Sequence, residues 1–298
     1  MSPVDDSTSG LRSGGPKASP VGSEKRWGSV DDPVTVSAPA KLTLSLVITQ
    51  VREDGYHLID AEMVSVDLAD TLTFEAGIGL SIVNQINGGL GLGDISAGPA
   101  NLVRRALDLM DRRSSVRLVK RIPPGAGLGG GSADAAAVLR WARLSDLDVA
   151  VRLGADVPFC LVGGRARVTG IGEYVEPLPF ADRRFLLLLP PLSVDTAAVY
   201  RAWDRLHAPG VAGGVQLEPG GHNDLESAAL GVAPNLAHWR DILGDATGRR
   251  PQLAGSGSSW FVEGTPDMLG IDGRDFLVLK GVRAPLVAVR TVPPLPTL

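Results

Sequence analysis

The chain has 298 residues, 44% hydrophobic and 21% charged, a globular composition with enough apolar residues for a sizeable core and enough length for two domains or one large one. A formal net charge of -4 argues against a broad basic surface for nucleic acid, and a single cysteine, Cys160, excludes an intrachain disulfide framework and points to a reducing, cytoplasmic setting. The four histidines are scattered without metal-ligand spacing, and no apolar run reaches the ~18 residues that suggest a membrane span.

Residues 1–30 are rich in Ser, Gly, Pro and charge and lack the apolar centre of a secretory signal, so they read as a disordered tail. Order begins near Val34. Residues 34–38 form a strand, Pro39 interrupts it, and residues 42–48 alternate as a second strand segment. Asp54-Gly55 marks a turn, and residues 63–68 and 71–74 are two further strands. Residues 78–98 are glycine-rich and read as loop with some strand near Leu80. Leu102, Val103, Ala106, Leu107 and Met110 recur at helical spacing. A strand over 116–122 leads through Pro123-Pro124 into a glycine run, and an alanine-rich helix follows over 132–144. A short helix over 148–153 and a hairpin over 165–176 complete this half.

Pro177 and Pro179 then mark an expected boundary between a domain over residues 31–180 and a second over 181–298. The second half opens with the apolar strand around Phe185. Helices follow near 197–204 and 225–230, and strands near 258–262, 276–279 and 288–292. Strands and helices alternate irregularly, which predicts an α+β fold rather than a regular parallel α/β sheet.

The most informative segment is Ile122-Pro-Pro-Gly-Ala-Gly-Leu-Gly-Gly-Gly-Ser-Ala-Asp, with five glycines from Gly125 to Gly131. Glycine reaches positive φ and lets a ligand approach the backbone, so successive N–H groups can converge on an anion. Ser132 then opens a helix, whose first amides lack internal partners and favour phosphate. Ser132 is also the candidate magnesium ligand. A linker is a poor alternative between a strand and an alanine helix. A P-loop would end in Gly-Lys-Ser/Thr, which is absent. Gly125, Gly127 and Gly130 match a dinucleotide fingerprint in form, but two prolines separate them from the strand and no acidic residue follows at the required distance.

Three segments in order, Pro39-Ala40-Lys41-Leu42, Pro124-Gly125-Ala126-Gly127-Leu128-Gly129-Gly130-Gly131-Ser132 and Leu253-Ala254-Gly255-Ser256-Gly257, resemble the motifs of the GHMP kinases. Asp54-Gly55-Tyr56-His57, Asn101-Leu102-Val103, Leu153-Gly154-Ala155-Asp156-Val157-Pro158 and His222-Asn223-Asp224-Leu225-Glu226 resemble the branch of that family acting on a cytidine-diphosphate-linked alcohol in isoprenoid precursor synthesis. The resemblance implies an N-terminal α+β ATP-binding domain, a C-terminal ferredoxin-like domain, and a site between them. It implies ATP- and magnesium-dependent phosphorylation of a small-molecule hydroxyl, by a monomer or weak homodimer with neither nucleic acid nor membrane as partner. Two other functions stay open: a homoserine- or mevalonate-type kinase of the same family, and a non-catalytic regulator that binds a ligand with this fold.

Under the resemblance, Asp156 is the catalytic base, where its place before Val157-Pro158 suits a helix cap equally well. Lys41 holds Asp156 ionised and steadies the substrate oxygen, against the alternative of a solvated strand lysine. Pro124, Gly125, Ala126, Gly127, Leu128, Gly129, Gly130, Gly131 and Ser132 bind ATP. Tyr56, His57 and Tyr200 meet the cytidine end, and Gly255 and Ser256 add to the substrate site. Where the family's first motif carries asparagine, this chain has Thr43, which keeps a hydroxyl and loses the amide's paired donor and acceptor. The stretch over 132–153 is also short for the family.

Overall fold

The structure, a computed structural model, describes residues 32–86, 95–207 and 223–295. The expected N-terminal tail, the centre of the glycine-rich stretch over 78–98, and His222 lie outside the described residues.

The first sheet is organised on two long antiparallel strands, β1 (Val34–Val51) and β2 (His57–Glu75). The sequence predicts each of these as two shorter strands, and the structure joins them. Pro39 does not stop β1, because the pairing register shifts between Pro39 and Lys41 and a residue without an N–H is tolerated at such an irregularity. A second shift falls between Thr43 and Ser45.

These two shifts have a direct effect on side-chain direction. Val36 and Ala38 belong to one hydrophobic core, Ala40, Leu42 and Leu44 to a second, and Leu46 to the first again. In an unbroken strand all six would share one face. The shifts therefore turn Lys41 and Thr43, between them, toward the side occupied by the first core.

The Asp54-Gly55 turn is observed, closed by the Gly55 N–H to Arg52 O (2.9 Å). The far edge of β2 is divided between two strands. β4 (Ser115–Lys120) pairs with residues 71–75 and β5 (Arg165–Gly170) with residues 59–64. β3 (Gly79–Asn84) lies parallel to β4, and β6 (Tyr174–Pro177) closes the expected hairpin on β5.

Four helices accompany this sheet: α1 (Leu102–Leu109), α2 (Gly130–Trp141), α3 (Leu147–Ala150) and α4 (Val157–Val162), with α2 and α4 against its strands, α1 on α2 and α3 on α4. Asn101 caps α1 by accepting from the Val103 N–H. Ala133, Ala135, Ala136, Ala137, Val138 and Leu139 of α2 are all buried, as expected for a small-residue helix surrounded by α1, α4 and β1.

The second sheet is antiparallel throughout, in the order β10 (Phe276–Leu279), β11 (Val282–Arg290), β7 (Arg184–Leu188), β9 (Trp260–Glu263), β8 (Gln252–Leu253). Three helices accompany it: α5 (Thr196–Leu206), α6 (Glu226–Val232) and α7 (Asn235–Thr247). The sequence reading contains no α7, although Leu236, Trp239 and Leu243 are buried at helical spacing and Gly248 ends the helix in the left-handed region. Two sheets with segregated helices make an α+β fold of two parts, as the irregular order of elements predicts. The second core, with Leu42, Val64 and Val66 against Phe185, Leu187, Phe261 and Val289, joins the sheets. Among the described residues no helix is long and apolar enough to cross a membrane.

Candidate active site

The glycine run leaves β4 and enters α2 as a loop fixed by backbone bonds from three other segments. Leu128 O accepts from the Lys41 N–H (3.0 Å), Gly125 O from Val194 (3.3 Å) and Ala126 O from Ser259 (3.1 Å). Three positions of positive φ in it leave no room for a side chain where the neighbours stand. At Gly125 (φ +66°) a Cβ would fall 2.1 Å from Ser193 Oγ, at Gly127 (φ +76°) 1.9 Å from Ala254 O, and at Gly129 (φ +67°) 2.7 Å from Lys41 Cγ. Glycine here serves close packing against the other two motifs as much as access by a ligand.

Gly129 caps α2 without a side-chain hydrogen bond. The first-turn amides that follow have no intrahelical acceptor, which leaves them available to an anion at the positive end of the helix. A cleft of about 480 Å3 opens in front of them.

Pro124, Gly125, Ala126, Gly127, Gly129, Gly130, Gly131 and Ser132 line this cleft. Leu128 does not. Its side chain is buried in the second core, and only its backbone takes part through the bond to Lys41.

Lys41 and Asp156 meet in the same cleft, with Nζ 3.4 Å from Oδ2 and the lysine stem packed against Gly129 of the loop. Lys41 is buried and Asp156 keeps 32% of its side-chain surface, so the carboxylate remains accessible from the cleft. Asp156 stands at the N-cap of α4, with proline in the first turn, yet its side chain makes no capping bond. The carboxylate is thus turned to the lysine rather than spent on the helix. Thr43 Oγ1 accepts from Lys41 Nζ at 3.1 Å, which fixes the ammonium from a second side. Cys160, one turn beyond Asp156, is inert: burial first, then the Asp156 charge, pushes its thiol up to about 12.

A second lobe of about 550 Å3 adjoins the first, the two sharing His57, Ala155, Ile171, Thr196 and Tyr200. Tyr56 stands exposed on the lobe's rim. His57 Nε2 donates to Asp204 Oδ1 (2.6 Å), and its ring lies 4.8 Å from Tyr200 and 5.4 Å from Trp203. Burial, with Asp156 adding to it, raises the Tyr200 phenol above its usual range and keeps it a neutral flat surface.

Gly255 and Ser256 complete the cleft. Ser256 Oγ and Thr196 Oγ1 share a hydrogen bond of 2.8 Å, and Asn223 Nδ2 donates to Gly255 O at 2.7 Å.

Behind the loop lies a charge cluster that the sequence reading does not contain. Lys120 Nζ donates to Asp70 Oδ2 and to Asp134 Oδ2 (2.8 Å), and all three residues are buried. Burial works against the Lys120 ammonium, but Asp134 and Asp70 outweigh it and raise its pKa. Burial, reinforced by Asp70 and opposed by Lys120, pushes the Asp134 carboxyl up to about 8. Asp204 is also new, although it lies four residues after Tyr200 on the expected helix, a spacing that puts both on one face.

Residues 101–164 match the GHMP kinases N terminal domain. The 4-diphosphocytidyl-2-C-methyl-D-erythritol kinase of Paracoccus denitrificans (strain Pd 1222) is 37% identical over 241 residues, covering 76% of this chain and 85% of that protein. The protein of the same name from Methylibium petroleiphilum (strain ATCC BAA-1232 / LMG 22953 / PM1) is 34% identical over 249 residues, 76% and 84% of the two chains. Among solved structures, a 4-(cytidine 5'-diphospho)-2C-methyl-D-erythritol kinase superposes with a TM-score of 0.61 at 31% identity, over 86% of this chain and 98% of that one. A mevalonate kinase with a TM-score of 0.52 and 12% identity, over 87% and 99%, shares the fold alone.

Proposed function

This chain belongs to the GHMP kinases, among the 4-diphosphocytidyl-2-C-methyl-D-erythritol kinases, and from that premise we propose that it transfers the γ-phosphoryl of ATP to the 2-hydroxyl of 4-diphosphocytidyl-2-C-methyl-D-erythritol. The observation that carries this reading is the Lys41–Asp156 pair, 3.4 Å apart, lining one cleft together with a glycine loop and a helix N-terminus.

Phosphoryl transfer needs positioning and charge stabilisation more than covalent chemistry. The amides from Gly125 to Ser132 grip the phosphates. Asp156 orients the acceptor hydroxyl and takes its proton. Lys41, 3.4 Å from Asp156, holds that carboxylate in place and offsets negative charge gathering on the transferred group. Tyr56, His57 and Tyr200 hold the cytosine in the second lobe, where aromatic faces and an imidazole suit a flat, hydrogen-bonding base.

Among the described residues no group of three His, Cys, Asp or Glu side chains is placed to hold a metal ion. The hydroxyl of Ser132 is a hard oxygen donor of the kind Mg2+ accepts, and Mg2+ commonly keeps phosphate and water as its other ligands. Ser132 in the cleft would supply one oxygen, and the ion would neutralise phosphate charge when bound. The proposed organisation is an ATP-binding domain over 31–180 and a substrate-side domain over 181–298. The proposed enzyme is cytoplasmic and acts as a monomer or weak homodimer.

The test is direct. Purified protein with ATP and the cytidyl-methylerythritol substrate yields ADP and the 2-phosphate. Asp156→Asn lowers kcat by about 10^3-fold, within the range for a lost general base. Absence of turnover by the unaltered protein refutes the kinase reading. Equal turnover by both proteins refutes the role of Asp156.

A further inference from the structure

The buried cluster of Asp70, Lys120 and Asp134 is placed at both ends of the glycine loop. Lys120 is the last residue of β4, and Asp134 lies just past the first turn of α2. Asp70 Oδ1 accepts the N–H of Ile122 (2.9 Å) and of Arg121, the two residues entering the loop. Lys120 Nζ then joins Asp70 Oδ2 to Asp134 Oδ2, on the helix leaving it. The helix seats closely over the lysine: a Cβ at Gly130 would lie 3.2 Å from Lys120 Nζ. None of the three lines the cleft.

Three buried ionisable groups are an expensive way to fill a core, and apolar residues of similar size commonly serve stability as well or better. Their arrangement serves conformation instead. A loop with five glycines has many backbone states, and a set of amides stabilises an anion only when the N–H groups already converge. Fixing the distance between the loop's ends removes most of those states, as any cross-link across a flexible loop does.

We propose that Asp70, Lys120 and Asp134 are positioning residues that clasp the two ends of the glycine loop and hold its amides ready for the nucleotide's phosphates. The inference rests on the reading above that this loop binds ATP. The clasp acts on one substrate and not the other, because the cytidine lobe is built from His57, Tyr200 and their neighbours, none of which touches it.

The experiment compares ADP affinity by calorimetry, KM for ATP, KM for the cytidyl-alcohol, and thermal melting. The double variant Lys120→Met/Asp134→Leu keeps the packing and removes the ionic bridge. It weakens ADP binding and raises KM for ATP by about tenfold, the scale of a sub-ångström misplacement, while KM for the alcohol stays within about twofold. Asp134→Asn, which keeps an acceptor for Lys120, restores ADP affinity to near that of the unaltered protein. A folded double variant with unchanged KM for ATP, or with both KM values raised alike, overturns the clasp. Should the double variant fail to fold, Asp70→Asn decides: it keeps both backbone bonds and removes the charge facing Lys120. A weaker ADP affinity in that variant supports the clasp, and an unchanged one overturns it. An unaltered protein that binds no ADP removes the phosphate reading itself, and the clasp with it.

Discussion

At the scale of single residues, the site depends on groups brought within contact by unrelated parts of the chain. Lys41 and Asp156 are recognisable in the sequence through their motifs, and the structure places them 3.4 Å apart. What the sequence leaves open is the use of each side chain. Asp156 reads equally as a helix cap, and only geometry shows that it makes no cap bond. Leu128 reads as part of the nucleotide loop, and only packing shows its side chain in the core. Gly127 is the sharpest case. Its φ of +76° and the 1.9 Å that would separate a Cβ from Ala254 O leave no room for alanine. Gly127→Ala is expected to cost at least about 2 kcal/mol from the left-handed backbone and the clash together. Urea unfolding measures this, and a midpoint equal to that of the unaltered protein would contradict it.

At the scale of elements, strands and helices follow the hydrophobic pattern well, and errors gather where tertiary context intervenes. β1 runs on through Pro39 because a register shift absorbs the missing donor. α7 is absent from the sequence reading although Leu236, Trp239 and Leu243 stand at helical spacing, because its start carries no side-chain cap and Gly244, a weak helix former, sits inside it. α5 carries a functional consequence. It presents Tyr200 to the second lobe and, one turn on, presents Asp204 to His57. Asp204→Ala frees the imidazole, and KM for the cytidyl-alcohol is expected to rise about fivefold, the ~1 kcal/mol scale of one hydrogen bond to a charged group in a partly exposed place. Steady-state kinetics checks this. A fall in kcat with KM unchanged would reject the assignment.

At the scale of the whole molecule, the α+β layout was legible from the irregular order of strands and helices, while the joining of the two sheets through a shared core was not. A core shared by residues as distant in sequence as Val66 and Phe185 leaves no local pattern in either segment. Stability against pH is also a property of the whole chain. The Asp134 carboxyl rises from an ordinary 3.8 unfolded to about 8 folded, so the folded state holds a proton that the unfolded state gives up. Its contribution is most favourable below about pH 4 and is lost as pH climbs to about 8. Lys120, also raised, adds loss only above the ordinary lysine range. Thermal melting from pH 5 to 8 is therefore expected to show a shallower decline for Asp134→Asn than for the unaltered protein. Parallel curves would contradict this.

The three backbone bonds that hold the glycine loop carry an implication for truncation. Two of them reach into the second half of the chain, to Val194 and Ser259, and Gly127 is moulded to Ala254 beside them. The loop therefore takes its shape from both halves at once. A fragment ending near residue 180 would keep every glycine of the run and lose the surface against which it is cast.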